Sequence, residues 1–347
     1  MMEMSRKRVI FIDYIRALAI LMVIMCHVID VNCLFWLGYQ EMSGARQIII
    51  YTLLIFGRCG VPLFLMITGY LLLDRDYSHG KWKSFYLHKW LHLFLLTEIW
   101  FVIYEGFSVF LQGNSFVGKD FVLRLLFIKE PVLSHAWYLP VILGLYLLLP
   151  VLALVWKKLS DQGCLITVFL IWALILLLQR LAQESITLNL NYALYMLIGG
   201  TYKRWHTKLA EHKQVACVIC GLAGIFALAE CEGFLWLQHK KGQAVSLWYD
   251  NAGVFLLSLT LFGLIMLLAQ EKNSFVERLS QDSFGIYLIH NMIALVMMLW
   301  LEKWNGNFYL RMIFTYLLVW GIAWGLTRMI GKIPHVGDWI LYKRRSK

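Results

Sequence analysis

The stretch VIFIDYIRALAILMVIMCHVI, residues 9–29, decides the fold class of the chain. It has the ~20 apolar residues that a helix needs to cross the ~30 Å hydrocarbon core of a bilayer. Arg16 and His27 lie eleven positions apart inside it. Eleven steps of ~100° end ~20° past three full turns and rise ~16 Å, so both side chains lie on one helix face. Ionisable groups inside a span usually face a polar interior. The pair therefore predicts a polar path through the protein; the alternative is an arginine that reaches the headgroups and a core histidine bonded to a neighbouring helix.

Apolar runs of this kind recur along the whole chain. Of its 347 residues, 60% are hydrophobic and 15% are charged, whereas soluble domains carry ~25% charged residues. The sequence therefore predicts an all-α, polytopic membrane protein, a single domain over residues 1–347 with about ten transmembrane helices. The expected spans are 9–29, 47–73, 91–111, 136–156, 164–181, 186–202, 214–231, 251–270, 283–302 and 308–331.

The distribution of lysine and arginine predicts the orientation of these spans. With the N-terminus in the cytoplasm, 21 of these residues fall in cytoplasmic segments and 9 in outer segments. The positive-inside rule favours this arrangement, with both termini in the cytoplasm. The net charge of +11 lies mostly in short loops, which indicates contact with anionic lipid and not with nucleic acid. The basic start at residues 5–8 has no cleavage site after it, so the first helix is expected to remain as an anchor. In the long outer segment 112–135, Lys119 to Ile128 is expected to form a short interfacial helix.

Four motifs follow one another along the spans. They are Asp13-Tyr14-Ile15-Arg16 followed by His27, RCGVPLFLMITGYL at 58–71, HAWYL at 135–139 and SFGIYLIH at 283–290.

In this order the motifs resemble those of the acyltransferase-3 family of bacterial membrane acyltransferases. The likeness is greatest to the O-acetyltransferases of surface polysaccharides such as enterobacterial common antigen. It implies transfer of an acetyl or other acyl group from cytoplasmic acyl-CoA to a hydroxyl of an extracytoplasmic glycan or glycolipid. It also implies an inner-membrane protein for which acetyl-CoA is a substrate and no cofactor is permanently bound. One segment departs from the family pattern: many members carry R-x-x-R before the third span, where this chain has Lys89-Trp90-Leu91-His92.

Acyl transfer to an alcohol requires a base, and imidazole suits this role because its pKa lies near neutrality. We expect His27 to deprotonate the acceptor hydroxyl or to carry the acyl group itself. Asp30 follows three residues later and is expected to orient the imidazole; the alternative is a solvated residue at the helix end. Arg16 offers a forked donor set for the CoA phosphates or pantetheine arm. The alternative for Arg16 is a structural ion pair with Asp13.

Six further residues are candidates for binding acyl-CoA or substrate. Five of them have an alternative: a headgroup contact for Arg58, structural pairing for Glu98 (and for Glu105, seven residues later), a membrane-belt position for Trp137, and plain packing for Tyr287 and His290. Separately, we expect Pro62 to kink the second span and Gly69 to allow close helix packing. The six candidates are Arg58, Lys89, Glu98, Trp137, Tyr287 and His290.

No metal site is expected. The spacing of His88 and His92 puts two imidazoles on one helix face, but Lys89 stands where zinc proteases have glutamate. The seven cysteines are expected to be small buried residues. The second functional prediction is a transporter or exporter of an acyl, amino-acid or glycan species, which would need the same polar path.

Overall fold

The computed structural model describes residues 8–36, 42–181, 184–243, 245–301, 304, 306–334 and 336–341, apart from the side chains of 34–36, 179–189, 336 and 338. This part of the chain is built of helices and contains no strand. A π turn (Tyr86–Trp90) joins α4 to α5, and a 3-10 turn (Ser134–Trp137) precedes α7. The helices are α1 (Ile10–Trp36), α2 (Gly44–Arg58), α3 (Gly60–Leu72), α4 (Lys81–Phe85), α5 (Leu91–Leu111), α6 (Gly118–Leu125), α7 (Tyr138–Trp156), α8 (Asp161–Leu181), α9 (Glu184–Glu211), α10 (Lys213–Lys240), α11 (Ala252–Leu268), α12 (Ser274–Leu301), α13 (Phe308–Ile330) and α14 (Val336–Ile340).

The prediction of an all-α polytopic membrane protein is confirmed. Within the described residues, eight helical segments are long and apolar enough to cross a bilayer. They are α1, α2 with α3, α4 to α5 through the π turn, the 3-10 turn with α7, α8, α10, α12 and α13. The other two predicted spans correspond to α9 and to α11, an apolar helix of 17 residues.

The composition of α9 follows from its place in the bundle. Nearly every side chain between Asn191 and Thr201 is buried, so this part of α9 faces protein. In α8 and α10, by contrast, few side chains are buried, as expected of helices that face lipid. A helix that is shielded from lipid needs fewer apolar residues, which explains why α9 is not among the eight segments that are apolar enough to cross a bilayer.

Glycines bring α9 against α3. A methyl group on Gly69 would overlap the carbonyl oxygen of Met196, and one on Gly199 would overlap that of Met66. The expectation of close packing at Gly69 is therefore confirmed. The second span also breaks, as expected near Pro62: α2 ends at Arg58 and α3 begins at Gly60.

We call the end of the bundle at which α1 begins the proximal face; it includes segments 73–80, 157–160 and 269–273. The opposite end, with segments 112–137 and 241–251, is the distal face. On the distal face, the short helix expected over Lys119 to Ile128 is present as α6, which spans Gly118–Leu125, and Arg124 from α6 pairs with the buried Glu105 of α5 at 2.9 Å. Glu105 therefore makes the kind of structural pairing considered for it, with Arg124 as its partner.

Several helices extend further than the sequence predicts, mainly at the proximal face. The third span begins at Lys81 instead of 91, the sixth ends at Glu211 instead of 202, and the ninth begins at Ser274 instead of 283. Helical hydrogen bonding continues past the apolar core where polar side chains find partners. Glu277 in the first turn of α12, for example, pairs with Arg8 at 2.7 Å.

Candidate active site

A cavity of about 430 Å³ runs into the bundle from the proximal face. Exposed side chains of His88 and Gln281 stand at its mouth. Its walls come from α1, α3, the π turn, α5, α7 and α12: Arg16, Val23, Val61, Phe64, Ile67, Thr68, His88, Lys89, His92, Leu93, Tyr138, Ile142, Tyr146, Ser280, Gln281, Ser283, Phe284 and Tyr287.

Arg16 lines this cavity with its charge uncompensated by any ion pair or hydrogen bond from the described residues. Asp13, the partner considered for it, is instead paired with Arg8 at 2.6 Å and accepts a hydrogen bond from Ser280 at 2.7 Å. A guanidinium held in this way offers its donors to whatever enters the cavity, and an anion with several oxygens suits it best.

The π turn supplies further basic groups to the same wall. Lys89 and His88 lie within it, and His92 follows on α5; all three line the cavity. Within a helix a π turn is rare and is frequently found at functional sites. The segment that departs from the family's R-x-x-R pattern therefore still places basic side chains on the cavity wall.

His27 lies at the inner end of the path. It lines a second cavity of about 10 Å³, which shares four wall residues with the large one: Val23, Val61, Tyr138 and Tyr287. The two residues that predicted a polar path, Arg16 and His27, thus line adjoining cavities along one continuous helix.

Two other imidazoles surround His27. The ring centroids of His27 and His290 are 5.2 Å apart, those of His27 and His135 6.1 Å, and those of His135 and His290 5.3 Å. His290 and His135 are buried, and in each ring Nε2 has no hydrogen-bond partner among the described residues. Three elements that are distant in sequence, α1, the 3-10 turn and α12, therefore bring one histidine each to the same point.

Tyr287 and Trp137 line the small cavity together with His27 and His135. The hydroxyl of Tyr287 donates to the carbonyl oxygen of His135 at 2.7 Å, which fixes the 3-10 turn against α12. Trp137 stacks on Tyr192 with ring centroids 5.2 Å apart and lines the small cavity together with Tyr249. An aromatic surface therefore lies beside His27 on the distal side.

Arg58 and Asp30 lie together near the distal face. They form an ion pair at 3.7 Å, and the guanidinium carbon of Arg58 lies 5.2 Å from the ring centre of Trp248. Asp30 is thus engaged with Arg58, and its orienting role toward His27 stays a prediction. Glu98 lines neither of the two cavities, and its Oε1 is buried without a hydrogen bond from the described residues.

The sequence did not single out His135 as a site residue, although the HAWYL motif contained it. The signal that could have identified it is the position of this histidine two residues before Trp137, at the end of a span. The cavity-wall residues Tyr138, Tyr146 and Ser280 gave no such clue. They belong to ordinary helical patterns, and their position depends on how α7 and α12 pack.

The comparison with protein families agrees with this geometry. The model of the acyltransferase-3 family, described as an acyltransferase domain, matches residues 9–328, which include every wall residue of both cavities. No curated protein and no solved structure matches the chain. The chain therefore belongs to the acyltransferase-3 family.

Proposed function

We propose that the protein is an integral-membrane O-acyltransferase that takes an acetyl group from acetyl-CoA. The observation that carries the proposal is the position of His27 in a small cavity that adjoins the inner end of the large cavity lined by Arg16 and Lys89. The two cavities together offer cationic groups to an anionic donor at one end and a base at the other. The family membership supports acyl transfer as the reaction class.

The donor would enter from the proximal face. The phosphates of CoA would meet Arg16, Lys89 and the neighbouring imidazoles, since guanidinium and ammonium groups bind phosphate oxygens strongly. The narrow pantetheine arm would follow the wall formed by Val23 and Val61, and the thioester would reach His27.

His27 would act on the hydroxyl of the acceptor. In direct transfer it takes the hydroxyl proton, the oxygen forms a bond to the thioester carbon, the carbon–sulfur bond breaks, and the CoA thiolate receives the proton. In the alternative, His27 first forms an acyl-imidazole and CoA leaves, and the acceptor oxygen then displaces the imidazole.

The acceptor would approach from the distal face. Trp248 is exposed and Trp137 is half-buried, and both offer aromatic surface on which sugar rings stack; Arg58 lies beside Trp248 and can donate hydrogen bonds. This favours a glycan or glycolipid acceptor of the surface-polysaccharide type. The excess of lysine and arginine in the proximal segments supports an orientation with both termini in the cytoplasm of a bacterial inner membrane, where acetyl-CoA is available.

The test is transfer of labelled acetyl groups from acetyl-CoA to a membrane glycan fraction. We expect the wild type to transfer label and His27→Ala, expressed at the same level, to transfer none. His212→Ala removes an exposed histidine between α9 and α10 and should transfer normally. Equal transfer by His27→Ala and wild type would remove His27 from the chemistry. If neither the wild type nor either variant transfers label, but the wild type moves an acyl, amino-acid or glycan species across vesicle membranes, the protein is a transporter and not an acyltransferase.

A further inference from the structure

The hydrogen bonds of His290 determine which of its ring nitrogens carries a proton. Nδ1 lies 2.6 Å from the carbonyl oxygen of Tyr287 and 3.2 Å from that of Ile286. Carbonyl oxygens only accept, so Nδ1 must donate. In the neutral ring, Nε2 is then a free acceptor.

A proton on Nε2 as well would make His290 a buried cation. The side chain is 0% exposed, and Nε2 has no partner among the described residues. A second N–H there would be buried without an acceptor, which is costly. His290 therefore holds an unused acceptor nitrogen inside the bundle.

His135 is in the opposite state. The side-chain amide nitrogen of Asn291 lies 3.0 Å from His135 Nδ1, and an amide nitrogen only donates, so Nδ1 accepts. The proton of the neutral His135 ring is then on Nε2. Of the two imidazoles next to His27, His290 offers an acceptor and His135 a donor.

We propose that His290 is a positioning residue for the acyl transfer: its Nε2 accepts a hydrogen bond from the protonated ring nitrogen of His27. This inference rests on the proposed function. The bond is not formed in the present arrangement, but at a ring separation of 5.2 Å a rotation of the His27 ring brings the nitrogens together. Catalytic hydrogen bonds often tighten only when substrate is bound.

The bond would fix the tautomer of His27. With one ring nitrogen committed to His290, the other presents its lone pair to the acceptor hydroxyl. His27 takes the hydroxyl proton on that nitrogen and returns it to the CoA thiolate, while His290 keeps its own proton on Nδ1. His290 thus has the place that a carboxylate has in a serine–histidine–aspartate triad, as a neutral acceptor.

The test compares His290→Leu, which removes the acceptor, with His290→Gln, whose amide oxygen can replace it. The assay is the transfer of labelled acetyl groups described above, with kcat and the KM for acetyl-CoA measured separately in reconstituted full-length protein. We expect His290→Leu to lower kcat by about 100-fold while KM stays within about twofold. The kcat of His290→Gln should be about tenfold higher than that of His290→Leu.

A matched control separates positioning from packing. The hydroxyl of Tyr104 donates to the carbonyl oxygen of Leu288 at 2.8 Å, so Tyr104→Phe removes a buried hydrogen bond to the same part of α12. It should leave kcat within about threefold. Three results would contradict the inference. They are a wild-type kcat in His290→Leu, an equal loss of kcat in His290→Gln and His290→Leu, and a loss of kcat in Tyr104→Phe as large as that in His290→Leu. A wild type that transfers no label overturns the proposed function and this inference with it.

Discussion

Arg16 carries a charge that helix packing alone does not explain. It lines the cavity without an ion pair from the described residues, whereas Asp13 is satisfied by Arg8 and Ser280. If Arg16 binds the phosphates of CoA, Arg16→Gln should raise the Kd for acetyl-CoA by about 10- to 100-fold, because charged hydrogen bonds contribute ~1.5–3 kcal/mol. Calorimetric titration of detergent-purified protein measures this.

Two further variants sharpen that measurement. Arg16→Lys keeps the charge but loses the fork, so its affinity should fall between those of wild type and Arg16→Gln. Lys83→Gln removes an exposed charge of α4 that does not line the cavity, and it should bind acetyl-CoA as wild type does. Equal affinity in wild type and Arg16→Gln would leave Arg16 with no part in donor binding.

The ion pair of Glu105 and Arg124 gives a second prediction at the residue scale. Both side chains are largely buried, and Arg124 Nη1 donates to both carboxylate oxygens at 2.9 and 3.0 Å. Glu105→Ala leaves Arg124 buried without its partner, which costs about 3–5 kcal/mol. We expect a clear fall in the thermal unfolding midpoint in detergent, and substantial recovery when Arg124→Met is added. Asp120→Asn removes an exposed pair with Lys129 on the same segment and should change the midpoint little.

At the scale of elements, the crossing of α3 and α9 depends on the absence of side chains. Because a Cβ on Gly69 would overlap the backbone of α9, Gly69→Ala must push the two helices apart, at a cost of about 1–3 kcal/mol or more. We expect a lower unfolding midpoint and weaker transfer activity, since α3 also forms the wall of both cavities. Gly106→Ala is the comparison: its Cβ would meet nothing within 4 Å, so α5 should be unchanged or slightly stabilised. The same midpoint for both variants would contradict the close crossing.

The elements also show what the sequence could and could not predict. Apolar length located the spans, and the helical period of α1 put Arg16 and His27 on one side, because both depend only on local geometry. The extension of α9 to Glu211 and the π turn at Tyr86–Trp90 could not be predicted, since each depends on neighbouring parts of the bundle. The meeting of His135 and His290 likewise results from tertiary packing, because the two residues are 155 positions apart in the sequence.

At the scale of the whole molecule, the two cavities are lined by chemically different groups at the two ends of the bundle. The basic groups are at the proximal end and the aromatic surfaces at the distal end, with His27 between them. A donor and an acceptor that are kept in different compartments could therefore meet at one imidazole. This works for acetyl-CoA only if the proximal face is the cytoplasmic one.

That orientation predicts which loops a membrane-impermeant maleimide can reach. Lys158→Cys places a thiol on the proximal face and Ser115→Cys one on the distal face; both positions are exposed. The native Cys217 and Cys220 would be changed to alanine, because the other five cysteines are buried. We expect label on Ser115→Cys in intact bacterial cells and on Lys158→Cys only in inside-out vesicles, since charged reagents do not cross the bilayer. The reverse pattern would place the Arg16 cavity outside the cytoplasm, where CoA phosphates could not be its ligand.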